Sequence, residues 1–393
     1  MRVFSTFSGI GGFEIGIHNA LVRHQDQGVQ RRRRSARNTS GPGKQLPELN
    51  LERLSFVGYS EINEPAIGVY EKHFEGVKNY GDITTINADR LPDFECLVGG
   101  FPCQAFSIAG KRKGFDDTRG TLFFDLARIL RAKRPQLFVF ENVKGLLSHD
   151  NGQTFRVIIS TIDELGYDAQ WQVINSKNHG VPQNRERIYI VGHLRGSPRP
   201  KVFPLAADPE ADIVLPTLTA RYWGAQANGG YISHQSPKVG TYRTHKDGQG
   251  FREVKEGISP TIPARARQDG SGQPVILVPE ATKKGYAEAT VGDAINLNQL
   301  KSKTRRGRVS KVSPTVDTGA GHSLHTLTSD VRVRRLTPIE CERLQGFPDD
   351  WTKYNAQGEQ VSDSQRYKMC GNAVTTNAVQ AVFEKIYESI DKV

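Results

Sequence analysis

Cys103 is the residue of this sequence with the clearest potential for nucleophilic chemistry. It lies in GGFPCQAFS, directly after Pro102 ends an apolar run. Open α/β sheets carry their chemistry at the carboxyl ends of the strands, and a loop thiol there is well placed to react. A lone cysteine is more often a small core residue. The loop that follows is polar, however, and its basic residues at 111–113 and 119 favour the reactive thiolate.

An acid and two arginines lie at the ends of later apolar runs. Glu141 closes the run LFVFE, where burial would raise the pKa of its carboxyl. Arg185 and Arg187 lie in QNRER, just before RIYIVGH, and a spacing of two places them on one face of a strand. Arginine keeps its charge and donates several hydrogen bonds in fixed geometry. Each group alone could form a surface salt bridge, but together with the thiol they indicate an active site.

A glycine-rich turn and two acids indicate a second binding function. The turn FSGIGG covers Phe7 to Gly12 and follows a buried strand, where glycines let a ligand approach a helix N-terminus. It lacks the GxGxxG spacing typical of nicotinamide dinucleotide sites. Glu61 ends the next strand and could accept hydrogen bonds from ribose hydroxyl groups. Asp82 could accept a hydrogen bond from an adenine amino group. Taken singly, each feature is equally explained as a tight turn or a helix cap.

The elements that must position these groups alternate between strands and helices. Such alternation predicts an α/β fold with a mostly parallel sheet covered by helices on both faces. Predicted strands are Arg2 to Ser8, Phe56 to Ile62, Cys96 to Phe101, Leu137 to Glu141, Tyr167 to Asn175 and Arg187 to His193. Predicted helices are Gly11 to Arg23, Pro65 to Phe74, Thr121 to Lys133 and Thr154 to Leu165.

Two stretches interrupt this alternation. Residues 24–50 contain RRRRSARNTSGPGK without periodicity, and we interpret them as a disordered surface insertion. Residues 195–329 are rich in Gly, Thr, Pro, Ser and Arg, and they repeat the related phrases LPTLTA, SPTIPARA and SPTVDTG. We expect a smaller, loop-rich β domain there. Helical patterns return at Thr337 to Leu344 and Tyr367 to Ile390, so residues 330–393 are expected to rejoin the domain formed by residues 1–194.

Composition narrows the class of protein. The 393-residue chain has 53 Lys and Arg against 42 Asp and Glu, a net charge of +11, which favours a polyanionic partner without establishing one. Four cysteines in a chain of this length do not predict a disulfide framework, and a reducing cytoplasm is the expected setting. Neither a signal peptide, a membrane helix nor a metal-ligand cluster is evident in the sequence.

Across nearly its whole length the sequence resembles the DNA cytosine-5 methyltransferase family, as found in restriction–modification systems. The matching motifs occur in the family's order: FSGIGG, the acid of YSEIN, GDIT, GFPCQAFS, ENV, QNRER, RRLTPIECERLQGFP and GNAV. The resemblance implies a Rossmann-like domain that binds S-adenosylmethionine and releases S-adenosylhomocysteine, without a metal. The variable stretch at residues 195–329 falls where this family carries its target-recognition domain.

Roles follow from the resemblance, position by position. Cys103 would be the nucleophile, Glu141 its partner on the base, and Arg187 a contact to the ring that Arg185 supports. Glu61 would hold the ribose. The implied donor pocket comprises Phe7, Gly9, Ile10, Gly11, Gly12, Glu61, Ile62, Asp82, Ile83, Pro102, Leu122, Asn372 and Val374.

The implied partner is double-stranded DNA, bound by a monomer, with a cognate restriction endonuclease as a further expected partner. The predicted DNA contacts are Gln104, Ser107 and Arg119 in a mobile loop, and Thr217, Thr219, Arg221, Thr261 and Arg265 in the variable stretch. Methylation of cytosine in transfer RNA is an alternative, since some family members act on RNA with the same motifs. A DNA-binding protein with an inactive site is a more remote one.

Overall fold

The central domain and its C-terminal segment are described by a computed structural model. The described residues are 1–36, 54–102, 122–197, 201–206, 238–243, 250–253, 274–279, 286–289, 292–296, 308–316, 324–327 and 333–390. Side chains are described for all but 27–36 and parts of the short stretches after 206. No helix among these residues is long and apolar enough to cross a membrane.

A six-stranded sheet forms the centre of the fold. Its strands are β1 (Arg2–Thr6), β2 (Ser55–Ser60), β3 (Cys96–Gly100), β4 (Leu137–Val143), β5 (Tyr167–Asn175) and β7 (Glu186–Leu194), in the order β2-β1-β3-β4-β7-β5. The pairs among β2, β1, β3 and β4 are parallel, whereas β7 runs antiparallel to both of its neighbours. This confirms the mostly parallel sheet expected from the sequence. The antiparallel β7 therefore begins at the edge where the parallel strands end.

Helices cover both faces of this sheet. The helices are α1 (Gly12–Ala36), α2 (Glu64–His73), α3 (Leu122–Lys133), α4 (Gln153–Glu164), α5 (Pro338–Leu344), α6 (Asp363–Asn372) and α7 (Thr376–Ile390). On one face, α1 and α7 pack on Val98, Val139 and Val191, and on the other α3 and α4 pack on Leu97, Phe138 and Ile190. Because both faces are covered, β3 and β4 consist of nearly continuous apolar residues.

The C-terminal segment packs on the first part of the chain. α7 lies against α1, and the two helices approach closely because Gly16 has no side chain: a Cβ there would lie 2.5 Å from Cβ of Val379. α5 begins with a capping box, in which Thr337 and Glu340 each bind the other's backbone N–H. A single helical pattern predicted over Tyr367 to Ile390 is divided at Ala373, where the backbone is extended.

Two predicted boundaries differ from the structure for identifiable reasons. β1 ends at Thr6 instead of Ser8 because Phe7 adopts a positive φ of 51°. α1 continues beyond Arg23 to Ala36, so the described part of the predicted insertion, residues 24–36, is helical and not irregular. Gln and Arg are good helix formers, and the stretch lacks proline, so the helix continues once α7 has anchored its first turns.

The described residues between 207 and 332 form short strands. β8 (Lys238–Arg243), β9 (Gly250–Glu253), β10 (Pro274–Pro279) and β11 (Tyr286–Ala289) form one antiparallel sheet. β12 (Ala294–Asn296), β13 (Val309–Ser310), β15 (Leu324–Leu327) and β16 (Val333–Arg335) form another. β14 (Ser313–Pro314) pairs in parallel with β6 (Gln183–Asn184), and this pairing attaches the variable stretch to the loop that carries QNRER.

Candidate active site

The sheet brings the predicted reactive groups to one edge. Gly100 ends β3 and lies opposite Glu141 of β4 in the parallel register. Arg187 lies near the start of β7, opposite Val143 of β4. Because β7 is antiparallel, its beginning meets the carboxyl ends of the parallel strands. The topology thus places an acid and an arginine that are distant in sequence beside the loop that leaves β3.

Glu141 and Arg187 form an ion pair at this edge. Arg187 Nε lies 3.1 Å from Glu141 Oε1, and Glu141 is buried. Burial raises the pKa of Glu141, while Arg187 and Arg185 act in the opposite direction. A carboxyl held in this balance is able to exchange a proton with a base in the site. The guanidinium next to it is suited to a carbonyl oxygen.

Arg185 is buried and binds carbonyl oxygens instead of an acid. Its Nη1 donates to the Val316 carbonyl at 3.1 Å and its Nη2 donates to the Ala373 carbonyl at 2.8 Å. Burial, followed by the charge of Arg187, lowers the pKa of Arg185 to about 10. The side chain therefore connects three parts of the chain, namely the QNRER loop, the end of the variable stretch and the segment before α7.

The loop predicted to carry the nucleophile begins at Phe101. The side-chain amide of Asn142 donates to the Phe101 carbonyl at 2.8 Å, and Phe101 is buried, so the last residues before Cys103 are fixed beside Glu141. Pro102 is exposed at the end of this stretch. The four predicted residues of this loop lie outside the described part of the chain, namely Cys103, Gln104, Ser107 and Arg119.

The glycine turn has a backbone that requires glycine at defined points. Phe7 and Gly9 have positive φ values of 51° and 54°, and Gly11 has a φ of 86°. A Cβ at Gly9 would meet no atom of the described residues within 4 Å, so this position is open on the side that they leave. A Cβ at Gly11 would lie 2.2 Å from the Phe74 ring, and one at Gly12 would lie 2.7 Å from Val374 Cγ2. Gly9 therefore leaves room for a ligand, whereas Gly11 and Gly12 permit close packing.

Glu61 is held rigidly beside this turn. Its Oε2 accepts the Gly9 backbone N–H at 2.8 Å, and its Oε1 accepts the N–H groups of Ile62 and Asn63, each at 2.9 Å. The Asn79 side chain also binds the Glu61 backbone twice: its Oδ1 accepts the Glu61 N–H, and its Nδ2 donates to the Glu61 carbonyl. Ile62 is 67% exposed although it is a large apolar residue. An apolar side chain next to a fixed carboxylate and an open turn suits an uncharged ring attached to a sugar.

The other predicted pocket residues differ in what they present. Asp82 is exposed, and its Oδ1 accepts the N–H of Thr84 at 2.9 Å and the hydroxyl of Thr84 at 2.8 Å. The side chains of Ile10 and Ile83 are buried in separate core clusters, and Leu122 packs on the cluster that contains Ile83. The side chains of Ile10, Ile83 and Leu122 therefore support the glycine turn and the start of α3 from the core side.

Val374 connects the two halves of the site. It contacts Gly12 on one side, and on the other it would lie 3.5 Å from a Cβ at Gly100, where Glu141 Oε2 is also close at 3.2 Å. Asn372, at the end of α6, is exposed. The C-terminal segment thus lies between the glycine turn and the acid, and the two groups of predicted site residues are neighbours in the fold.

Three residues with structural roles in the site were not singled out from the sequence. Asn142 anchors Phe101, Asn79 holds Glu61, and Trp351 Nε1 donates to the Ile10 carbonyl at 2.9 Å. Asn142 could have been found, because it lies inside ENV. The other two are distant in sequence from the residues they hold. The predicted base-reading residues Thr217, Thr219, Arg221, Thr261 and Arg265 lie outside the described residues.

Comparisons with known proteins agree along the whole chain. The family model for C-5 cytosine-specific DNA methylase matches residues 1–388. The Type II methyltransferase M1.ScrFI of Lactococcus lactis subsp. cremoris is 32% identical over 407 residues, covering 100% of this chain and 79% of the relative. The Type II methyltransferase M.HpaII of Haemophilus parainfluenzae is 36% identical over 344 residues, covering 84% of this chain and 82% of the relative.

The fold is also found in a solved structure. A prophage-encoded protein of E. coli, described as a DNA modification methyltransferase, superposes with a TM-score of 0.56 at 18% identity. The superposition covers 100% of this chain and 99% of that chain. At this identity the likeness supports the arrangement of the sheet and helices, and not a particular substrate.

Proposed function

Because the chain belongs to the C-5 cytosine-specific DNA methylase family and is a DNA cytosine-5 methyltransferase, we propose a specific course for its reaction. It transfers a methyl group from S-adenosylmethionine to carbon 5 of a cytosine that has been flipped out of a specific duplex sequence. The transfer proceeds through a covalent bond between Cys103 and carbon 6. The observation that carries this proposal is the buried Glu141–Arg187 pair, which lies beside the start of the Cys103 loop.

The residues at the glycine turn fit S-adenosylmethionine. The open side of Gly9 leaves room for the donor, and the Glu61 carboxylate, fixed by three backbone N–H groups, can accept ribose hydroxyl groups. Ile62 offers an exposed apolar surface to the adenine, and Asp82 can accept a hydrogen bond from the adenine amino group. When bound, S-adenosylmethionine supplies an electrophilic methyl group on a positively charged sulfur.

Cys103 and Glu141 activate the base together. The Cys103 thiolate adds to carbon 6, and the electrons of the carbon 5–carbon 6 double bond move toward ring N3, where Glu141 provides a proton. Carbon 5 is then nucleophilic enough to accept the methyl group. The carbon 5 proton then passes to a solvent base, the electrons of that C–H bond restore the carbon 5–carbon 6 double bond, and the carbon 6–sulfur bond breaks to release the Cys103 thiolate. N3 returns its proton to Glu141. Arg187 holds the O2 oxygen of the ring throughout.

The site must exclude water and receive a base that normally lies inside the duplex. Flipping a base out costs a few kcal/mol, which contacts to the extruded base offset. We propose that Gln104, Ser107 and Arg119 close over the base and that residues 195–329 read the target sequence in the major groove. The relatives are Type II methyltransferases, and on that basis a cognate restriction endonuclease and a monomeric enzyme acting in the cytoplasm are parts of the proposal.

Methyl transfer to defined nucleic acids tests the proposal. Purified protein is incubated with S-adenosylmethionine labelled in its methyl group and with either duplex DNA or transfer RNA. We expect label in DNA alone, and bisulfite sequencing of plasmid DNA from an expressing host should show protected cytosines at one recognition sequence. Label in RNA alone would overturn the proposed substrate and favour the transfer RNA alternative.

A further inference from the structure

A buried carboxyl lies beneath the glycine turn and has no part in the reaction described above. Glu14, in the first turn of α1, is fully buried, and the groups among the described residues that most shift its pKa include no Lys, Arg or His. Its Oε1 accepts the Tyr70 hydroxyl of α2 at 3.0 Å. A buried acid that no cation among the described residues offsets is costly, because its charged form loses solvation.

Glu14 belongs to a chain of buried polar groups that reaches the turn. The Ser8 hydroxyl donates to the Ser5 hydroxyl at 2.9 Å. Ser5 lies close enough to Glu14 to lower the pKa of its carboxyl, whose Oε2 has no hydrogen-bond partner among the described residues. Tyr70 continues the chain to α2, where its ring stacks on Tyr59 at a centroid distance of 3.9 Å. Ser5 and Glu14 are fully buried and Ser8 is nearly so. The chain thus runs beneath the turn from Ser8 to the helix that follows Glu61.

The turn needs such support because its backbone is strained. Ser8 lies between Phe7 and Gly9, whose φ values are both positive, and this conformation is unfavourable for a bulky residue such as Phe7. The Ser8 backbone is bound as well, since its N–H donates to the Ser60 carbonyl at 3.3 Å and its carbonyl accepts the Gly11 N–H at 3.0 Å. Ser8 is therefore the point through which the polar chain can hold the strained turn.

We propose that Glu14 is a positioning residue for the methyl donor, acting through Tyr70 on one side and Ser5 and Ser8 on the other. The chain fixes the glycine turn relative to β2 and α2, which carry Glu61 and Ile62. The Gly9–Glu61 hydrogen bond ties the same two parts from the solvent side. This inference rests on the proposed donor pocket, and it predicts loss of donor affinity without loss of the chemical step.

The charge state of Glu14 agrees with this position. Burial raises the pKa of Glu14 to about 7, and hydrogen bonds from Ser5, from its own backbone and from Tyr70 act against that shift. Near neutral pH both charge states of Glu14 are therefore present, and in both of them its Oε2 has no hydrogen-bond partner among the described residues. The Ser5 oxygen accepts from Ser8 at 2.9 Å whichever charge state Glu14 adopts.

The test compares two tyrosines that lose the same atom. Tyr70→Phe removes the hydroxyl that donates a hydrogen bond to Glu14. Tyr167→Phe removes the hydroxyl of an equally buried tyrosine, which donates to the Pro135 carbonyl at 2.8 Å, away from the turn. Binding of S-adenosylhomocysteine is measured by calorimetry, and methyl transfer is measured at saturating donor and DNA. We expect Tyr70→Phe to weaken binding roughly 5- to 10-fold, the range for one buried hydrogen bond, with kcat within about twofold of wild type. Tyr167→Phe should leave binding unchanged.

A double-mutant cycle then tests the chain as a unit. Ser8→Ala should weaken donor binding alone, and combining it with Tyr70→Phe should weaken binding by less than the product of the two single effects. Glu14→Gln keeps an acceptor for Tyr70 and a donor for Ser5, so it should bind the donor within about threefold of wild type, whereas Glu14→Leu should bind as weakly as Tyr70→Phe.

Several outcomes would overturn the inference. Unchanged donor binding in Tyr70→Phe, equal losses in both tyrosine variants, or strictly multiplicative effects in the cycle would each exclude a positioning chain. If Tyr70→Phe does not fold, donor binding is compared between Ser8→Ala, which should be weakened, and the conservative Glu14→Gln, which should stay within about threefold of wild type. A wild-type protein that binds donor but methylates no DNA would instead contradict the proposed function, so the two failures are distinguishable.

Discussion

Glu141 and Arg187 form a diagonal ion pair across neighbouring antiparallel strands. Arg187 lies opposite Val143, two residues beyond Glu141, so the two charged side chains lie on the same face of the sheet with Nε 3.1 Å from Oε1. The guanidinium offsets part of the cost of burying the carboxyl, whose pKa is nevertheless raised. The pair keeps a protonatable acid next to a permanent cation, which is the combination that the proposed activation of cytosine requires.

Glu141→Gln should lower the methyl-transfer rate by at least about 10²-fold, because the amide cannot deliver a proton to N3. The rate is measured at saturating donor and DNA. Glu186→Gln is the matched control, since Glu186 is adjacent to Arg187 but exposed and paired with Lys144. The control should stay within about twofold of wild type. A near-normal rate in Glu141→Gln would remove this acid from the mechanism.

Cys103→Ser should abolish turnover and leave donor binding intact, because the hydroxyl is a much weaker nucleophile at neutral pH. Duplex DNA with 5-fluorocytosine at the target site provides a second readout. The fluorine cannot leave as the proton does, so wild-type protein should become irreversibly attached to the DNA and Cys103→Ser should not. Cys341→Ser, which changes a buried thiol, is the control, and it should still become attached to the DNA. Attachment through another residue would contradict the assignment.

Arg185→Lys should destabilise the protein by about 2–4 kcal/mol, as expected for replacing a buried, multiply bonded charge. Lysine cannot reproduce the guanidinium's bonds to the Val316 and Ala373 carbonyls. Arg343→Lys is the control, because Arg343 is exposed and pairs with Asp349 at the surface. Urea-induced unfolding measures both variants. Equal stability of the two would show that the buried carbonyl contacts contribute little.

Gly12→Ala should weaken donor binding and stability together. Its Cβ would lie 2.7 Å from Val374 Cγ2 and 3.1 Å from the Val374 carbonyl oxygen, and the second contact is with backbone that cannot rotate away. We expect donor affinity to fall by roughly tenfold or more, a cost of about 1–3 kcal/mol. Gly145→Ala meets no atom within 4 Å and serves as the control. Normal donor binding in Gly12→Ala would show that the C-terminal segment can move aside.

Stability should depend on pH through Glu14. The folded-state pKa, about 7, is above the ordinary value of 4.5, so the folded protein binds this proton more tightly than the unfolded chain does. The contribution is therefore present at low pH and is lost as pH rises from about 4.5 to about 7, by about 3 kcal/mol. Urea unfolding at pH 5, 6, 7 and 8 measures it. Glu14→Gln should lack this decline relative to wild type, and parallel pH profiles would contradict the assignment.

The sequence by itself determined the order of the central elements along the chain and the family to which the chain belongs. Apolar runs with strand lengths, alternating with amphipathic segments, gave the order of the central strands and helices, because hydrophobic periodicity reflects which faces are buried. The motifs identified the family, and within them Glu141, Arg187, Glu61 and the glycine turn were placed at the ends of strands. All of these are local signals, which a reader of one chain can detect.

The tertiary structure decided which of the candidate site residues contact one another. Only the antiparallel course of β7 shows that Arg187 meets Glu141, and only packing shows that Val374 joins Gly12 to Gly100. The extension of α1 past Arg23 was missed because a polar stretch carries no apolar stripe, although its residues are good helix formers. The chain from Ser8 to Glu14 and Tyr70 was likewise unpredictable, since residues 56 positions apart meet only where α1 and α2 pack together.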